Sequence, residues 1–345
     1  ESLPIASHVY NYQTGADGSA AAYLAIGEGE DSVQLCAFDG TSTRVIAEDL
    51  QWQQNLYDLS ADGKYLVYYD AYSMLRTEKI GTDEPSVVLT DSAAMYALAD
   101  ETDILYYVAE NDDVYDIYSY DFMSDPVLLA ENVSYMELMP NGKDLLYCAA
   151  PAENIPYSEI LVDDLAEADA ALTEADGAAW EEKLQRDEIR AAIAAGEGIS
   201  PLLQEAYVLK DGKSIKVAED VVSAMAVKND APFLTGYQID PPEPFPLSEL
   251  EGGLDTLELY YYLALNYSEF QPFLADANGM CQRLTGYQAL LDTLQISAEG
   301  KRAAYVVNDA NTGGNILMEM EIGKAEDASA VATDIERFAF LGGNG

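Results

Sequence analysis

A chain of 345 residues is long enough for two ordinary domains or for one large repeat array. Its 62 Asp and Glu against 17 Lys and Arg leave a formal charge of −45. That field repels phosphate backbones and anionic lipid headgroups across a Debye length of about 8 Å at physiological salt, which argues against nucleic-acid and membrane-surface partners. With 49% hydrophobic residues a core can form. No apolar run reaches the length that crosses a bilayer as a helix, so no direct membrane insertion is expected. The three cysteines, Cys36, Cys148 and Cys281, are an odd number with no close pair and indicate neither a disulfide scaffold nor a zinc site. The chain starts at Glu1 without a visible signal peptide, and a mature or trimmed fragment is the expectation.

In chain order, residues 9–11, 20–26, 32–38 and 43–47 are strand-like, with Asp17-Gly18 and Asp39-Gly40 as turns. Four short strands with tight turns make one antiparallel unit. A second unit starts at Asn55 and passes Leu59-Ser60-Ala61-Asp62-Gly63-Lys64-Tyr65-Leu66-Val67-Tyr68-Tyr69, in which a polar turn separates two apolar runs. Asp-Gly is a strong hairpin signal, because glycine accepts positive φ and aspartate bonds its own turn. The turn recurs as Pro140-Asn141-Gly142-Lys143 and Ser297-Ala298-Glu299-Gly300-Lys301. In the third unit, 94–133, Asp100-Glu101-Thr102-Asp103 takes its place, with Thr102 read as the counterpart of Gly63. The steps from Gly63 to Thr102 and on to Gly142 are then about 40 residues each, the period of four-stranded propeller blades.

Two stretches exceed that period. Residues 163–206 are rich in Ala and Glu, with Trp180, Leu184, Ile189 and Ile193 at helical spacing, and Ser200-Pro201 forms a helix-start signal. They are expected to be a helical insertion in blade 4. Residues 247–286, with a helix over 254–270, are expected to be a second insertion, between blades 5 and 6. A last strand is expected over 335–341. The reading is a single propeller over 1–345: all-β with helical insertions, a β-propeller of six to seven four-stranded blades.

The hairpin Ser60-Ala61-Asp62-Gly63-Lys64-Tyr65-Leu66 and its copies at 140–146 and 297–304 resemble the Ser-Pro-Asp-Gly-Lys repeat of TolB-like β-propellers. The same repeat occurs in the propeller domains of dipeptidyl-peptidase-type and prolyl-oligopeptidase-like enzymes. The resemblance implies the fold and little about function. In those peptidases the chemistry belongs to a separate α/β-hydrolase domain, and this chain has no Gly-x-Ser-x-Gly elbow.

His8 is the single histidine, so any Ser-His-Asp triad would have to use it. The acidic run 110–116 offers Asp112, Asp113 and Asp116 as oxygen ligands for Ca²⁺, a hard cation, against the plainer reading of a solvated turn. Tyr260, Tyr261 and Tyr262 are the candidate binding residues, because three consecutive helical positions point in different directions and resist common burial. The functional expectation is an extracytoplasmic module, secreted or surface-anchored and monomeric, that binds a protein or a cell-wall or glycan ligand without catalytic machinery of its own. The alternative is a glycan- or peptide-directed hydrolase using paired carboxylates in the central funnel.

Overall fold

The structure, a computed structural model, describes residues 6, 8–26, 33–50, 56–111, 114–227, 232–250, 253–284, 289–309, 313–324, 328–335 and 337–339. The chain forms two compact units, Glu1–Tyr147 with Leu209–Gly212, and Cys148–Val208 with Lys213–Gly345.

In the first unit the strands come in consecutive antiparallel groups of four. β1 (Val9–Thr14), β2 (Ala21–Ile26), β3 (Val33–Phe38) and β4 (Thr43–Leu50) form one sheet. β5 (Tyr57–Leu59), β6 (Tyr65–Tyr69), β7 (Leu75–Lys79) and β8 (Val87–Thr90) form the next. β9 (Ala93–Ala99), β10 (Ile104–Asn111), β11 (Val114–Tyr120) and β12 (Val127–Ala130) form the third, and β13 (Val133–Leu138) and β14 (Leu145–Ala149) follow. These sheets are β-propeller blades. The second strand of each group is buried almost throughout, as in β6, β10 and β14. A strand covered on both faces reads as a continuous apolar run, which is why Tyr65–Tyr69 does not alternate. Leu24, Leu35, Leu56, Leu66 and Tyr68 share one core, and Val67, Leu75, Leu105, Tyr107 and Tyr120 another. Outer strands such as β8 and β12 keep exposed or half-buried positions.

The recurrent hairpin has one geometry in all its copies. The Ser60 amide donates to the Tyr65 carbonyl at 2.8 Å and the Gly63 amide to the Ser60 carbonyl at 2.8 Å. The same two bonds join Gly15 to Ala20 and Gly18 to Gly15, Met139 to Asp144 and Gly142 to Met139, Ser297 to Arg302 and Gly300 to Ser297. Glycine holds the left-handed position at 18, 63, 142 and 300. In the third blade Thr102 keeps the register of Gly63, its amide donating to the Ala99 carbonyl at 3.2 Å while Ala99 pairs with Ile104, but the left-handed residue is the next one, Asp103, at φ 51°. Only the left-handed conformation moves on by one residue, because aspartate tolerates that region and β-branched threonine does not.

The second unit contains β15 (Ile155–Pro156), α1 (Tyr157–Ile160), β16 (Leu161–Val162), α2 (Ala166–Asp169), α3 (Ala178–Ala195), β17 (Gly198–Ile199) and β18 (Gln204–Lys210). It continues with β19 (Lys213–Ala226), β20 (Phe233–Ile239), β21 (Phe245–Pro246), α4 (Leu254–Tyr267), β22 (Phe270–Asp276) and β23 (Cys281–Arg283). β24 (Ala289–Ile296), β25 (Arg302–Asn308), β26 (Asn315–Glu321) and β27 (Ser329–Thr333) then form a further four-stranded antiparallel blade. Ser200-Pro201 starts no helix, and the chain runs extended into β18. Among the described residues of 335–341 there is no strand.

The stretch 247–286 is only partly helical. β20 and β22 pair antiparallel from Phe233↔Asp276 to Ile239↔Phe270, so α4 interrupts a sheet instead of separating two blades. Phe270–Asp276, at the C-terminal end of the expected helical insertion, is strand β22, because pairing with β20 decides its state.

Candidate functional site

The structure separates the three candidate tyrosines. α4 buries Leu257, Tyr261 and Leu265, one face at a spacing of four. Tyr261 is 3% exposed and belongs to the core, so it is not available for binding. Tyr260 is half-buried beside Phe245, with ring centroids 6.4 Å apart, and Tyr262 is half-buried against Tyr261 at 6.3 Å. The three are not buried together: adjacent helical residues are about 100° apart, so Tyr261 faces the core and Tyr260 and Tyr262 lie on its flanks. The helix face turned away from that core carries Leu259, Leu263 and Tyr267 instead.

Of the three candidate calcium ligands, Asp112 and Asp113 lie outside the described residues. Asp116 is buried at the start of β11, where Oδ2 accepts from Asn111 Nδ2 at 3.0 Å and Oδ1 has no hydrogen-bond partner. Among the described residues no group of three or more His, Cys, Asp or Glu could hold a metal ion. His8 is exposed, and Cys36, Cys148 and Cys281 are all outside disulfides. Burial pushes the Cys148 thiol up to about 12, so it is no nucleophile at neutral pH.

The first unit holds a cleft of about 660 Å³ at the first strands of its three complete blades, lined by Gln13 and Thr14 from β1, Asp58 and Leu59 from β5, Leu98 from β9, and Asp100. Its polar groups are tied together. Gln13 Nε2 donates to Asp58 Oδ1 at 3.0 Å and to the Tyr57 carbonyl at 3.3 Å, while Gln13 Oε1 accepts from the Leu59 amide at 2.8 Å. The Tyr96 hydroxyl donates to the Asp58 carboxylate. Burial raises the proton affinity of Asp58 despite these donors, and the Asp100 charge adds to it. Tyr96 is held strongly protonated by burial and by the neighbouring carboxylate. The arrangement presents a fixed carboxylate and a second acid beside apolar walls, which suits hydroxyl or ammonium groups on a ligand.

Sequence reasoning missed this cleft, although a signal exists. Gln13 and Asp58 each stand five positions before a turn glycine, and Ala97, in the same register, stands five before Thr102. The corresponding positions in later units are Glu137 and Gln295, again polar. A polar residue in a first strand at a fixed offset from the hairpin marks the inward-facing position.

The second unit joins two segments that are far apart in sequence into one accessory module. β15 pairs with β17, and β16 pairs in parallel with β21, Leu161 opposite Phe245. Their common core contains Tyr157, Ile160, Ile189, Ile199, Leu247, Leu257 and Tyr261. Burying each of the aliphatic members contributes roughly 2 kcal/mol. Polar contacts add to the join: the Tyr157 hydroxyl donates to Glu258 Oε1 at 2.8 Å, and the Ser248 amide to Asp164 Oδ1 at 2.9 Å. On α3, Arg186 and Arg190 both reach the buried Asp169 carboxylate, and Arg190 also reaches Asp163.

No protein-family profile matches the sequence, and no curated protein matches it. Among solved structures, the β-propeller domain of the Trilobed protease from Pyrococcus furiosus is 12% identical over 94% of this chain and 84% of that one, with a TM-score of 0.39. The tricorn protease is 14% identical over 94% of this chain and 30% of that one, at 0.39, so this chain spans under a third of it. The putative TolB from Agrobacterium tumefaciens is 11% identical over 85% of this chain and 84% of that one, at 0.29.

Proposed function

We propose that this chain is a ligand-binding propeller module that works outside the cytoplasm, taking a glycan or peptide ligand in the cleft of its first unit. The observation that carries the reading is Asp58, a partly desolvated carboxylate oriented by Gln13 and Tyr96 within a cleft of about 660 Å³. Donors that hold a side chain before the ligand arrives lower the cost of ordering it on binding. The acidic composition is what supports an extracytoplasmic setting. Calorimetric titration with cell-wall glycan fragments, neutral oligosaccharides and short cationic peptides is the test. One class should bind, and Asp58→Asn or Asp100→Ala should weaken it at least tenfold. Unchanged affinity in both variants, or no binding by any class, would sink the reading, as would fractionation of the full-length protein into the cytoplasm.

A second reading has one observation in its favour: Asp58, with raised proton affinity, and Asp100 line the same cleft. An acid that keeps its proton beside a second carboxylate is the pairing that glycoside hydrolysis uses. Product release from a glycan that disappears in both Asp58→Asn and Asp100→Asn would favour hydrolysis over binding alone.

A further inference from the structure

α4 is apolar on two opposite faces. Leu257, Tyr261 and Leu265 are at most 5% exposed in the module core, whereas Leu259, Leu263 and Tyr267 are 54%, 42% and 86% exposed on the other side. Phe270, just beyond the helix, is 49% exposed. Single exposed leucines are ordinary, but a row at positions i, i+4 and i+8 is a helix stripe that the described residues leave exposed. α3 in the same module differs: a single exposed leucine, Leu184, stands among the exposed Glu181, Glu182 and Glu188.

The charge around the stripe selects its occupant. From residue 229 to 282 the chain has nine Asp and Glu and no Lys or Arg, and Asp255 and Glu269 are exposed beside the stripe. A second copy of this chain brings the same acids and the same −45. An anionic lipid surface is repelled for the same reason. A polypeptide with one apolar face flanked by Lys or Arg meets both the leucines and the carboxylates, and apolar anchors with complementary rim charge give both affinity and selection.

We propose that the exposed face of α4 is a docking surface for a basic amphipathic segment of another polypeptide, with Leu259, Leu263 and Tyr267 as its apolar anchors. This surface is independent of the ligand cleft in the first unit, so the two readings stand or fall separately.

The experiment is an anisotropy titration of the whole chain with a labelled synthetic peptide of Leu and Lys at helical spacing, in physiological salt. Binding is expected, with at least a tenfold loss in Leu259→Asp/Leu263→Asp and a similar loss in Leu259→Ser/Leu263→Ser. Circular dichroism should show both variants folded, since the replaced side chains are on the surface. A peptide of the same composition without helical period should bind the native chain as weakly as the intact peptide binds the variants, and a Glu-for-Lys version should not bind. The proposal is overturned if the native chain does not bind, if folded variants bind unchanged, or if the scrambled peptide binds equally, which would mean general attraction to a polyanion. It is also overturned if sedimentation velocity shows a dimer that the variants dissolve, or if the stripe binds phosphatidylglycerol vesicles.

Discussion

Asp169 and Asp58 show how one residue type takes opposite roles. Asp169 accepts from Arg186 Nε at 2.8 Å and Nη2 at 2.6 Å, and from Arg190 Nη2 at 2.8 Å. The Arg186 and Arg190 guanidiniums hold its pKa at about 2, below the ordinary 3.8. Its stabilising contribution is therefore complete above about pH 4 and is lost as pH falls toward 2. Both arginines keep some contact with water, so Asp169→Asn should cost about 1–2 kcal/mol at pH 7, less than a fully buried pair. Asp58 has the opposite sign: burial raises its proton affinity, so ionisation opposes folding once pH exceeds the folded value. Asp58→Asn should then be neutral or stabilising at pH 7. Urea melts of the two variants at pH 7 and pH 3 check both statements, and a deficit in Asp169→Asn that persists undiminished at low pH would refute the first. The tyrosine run illustrates the same dependence on surroundings, since Tyr261 is core while its neighbours are half-buried, a distinction no local pattern contains.

The hairpin is the element that makes the blades comparable. Gly63 and Gly18 hold the same conformation, φ 71° and 70°, but in different surroundings. A Cβ at Gly63 would stand 3.0 Å from Ala20 Cβ and 3.5 Å from Gly15 Cα, whereas one at Gly18 would meet nothing within 4 Å. Gly18→Ala should cost only the left-handed strain of about 1 kcal/mol. Gly63→Ala should cost about 1 kcal/mol more, because Ala20 and Gly15 must move. Equal denaturation midpoints for the two variants would show that the neighbouring hairpin yields freely. α4 is the other informative element. Its helical pattern is plain in the sequence, but its place inside the β20–β22 pair is not, because strand pairing across an insertion carries no periodic signal.

On the scale of the molecule, the net charge of −45 is a standing cost to compactness. Salt shortens the reach of that repulsion from about 30 Å at 10 mM to about 3 Å at 1 M. Thermal stability measured by calorimetry should therefore rise by several degrees from low to high NaCl and then level off. A flat or falling trend would mean that ion pairs such as Arg186 and Arg190 with Asp169, which salt weakens, matter more than the general repulsion.

The amino-acid order by itself determined the blade: turn chemistry and strand propensity act over a few residues, so the Asp62-Gly63 pattern and its copies specify hairpins and their spacing wherever they occur. It also placed helix within 163–206 and over 254–270, where α3 (178–195) and α4 (254–267) lie. Only the tertiary structure decided that residues 155–199 and 245–265 share one core, because the pairing of Leu161 with Phe245 joins positions with no local relation. It alone brought Gln13, Asp58 and Asp100 to one cleft, since three hairpins about 40 residues apart must stack before their first strands become neighbours. Local rules build the repeated element, and contacts between distant residues create the surfaces that can recognise something else.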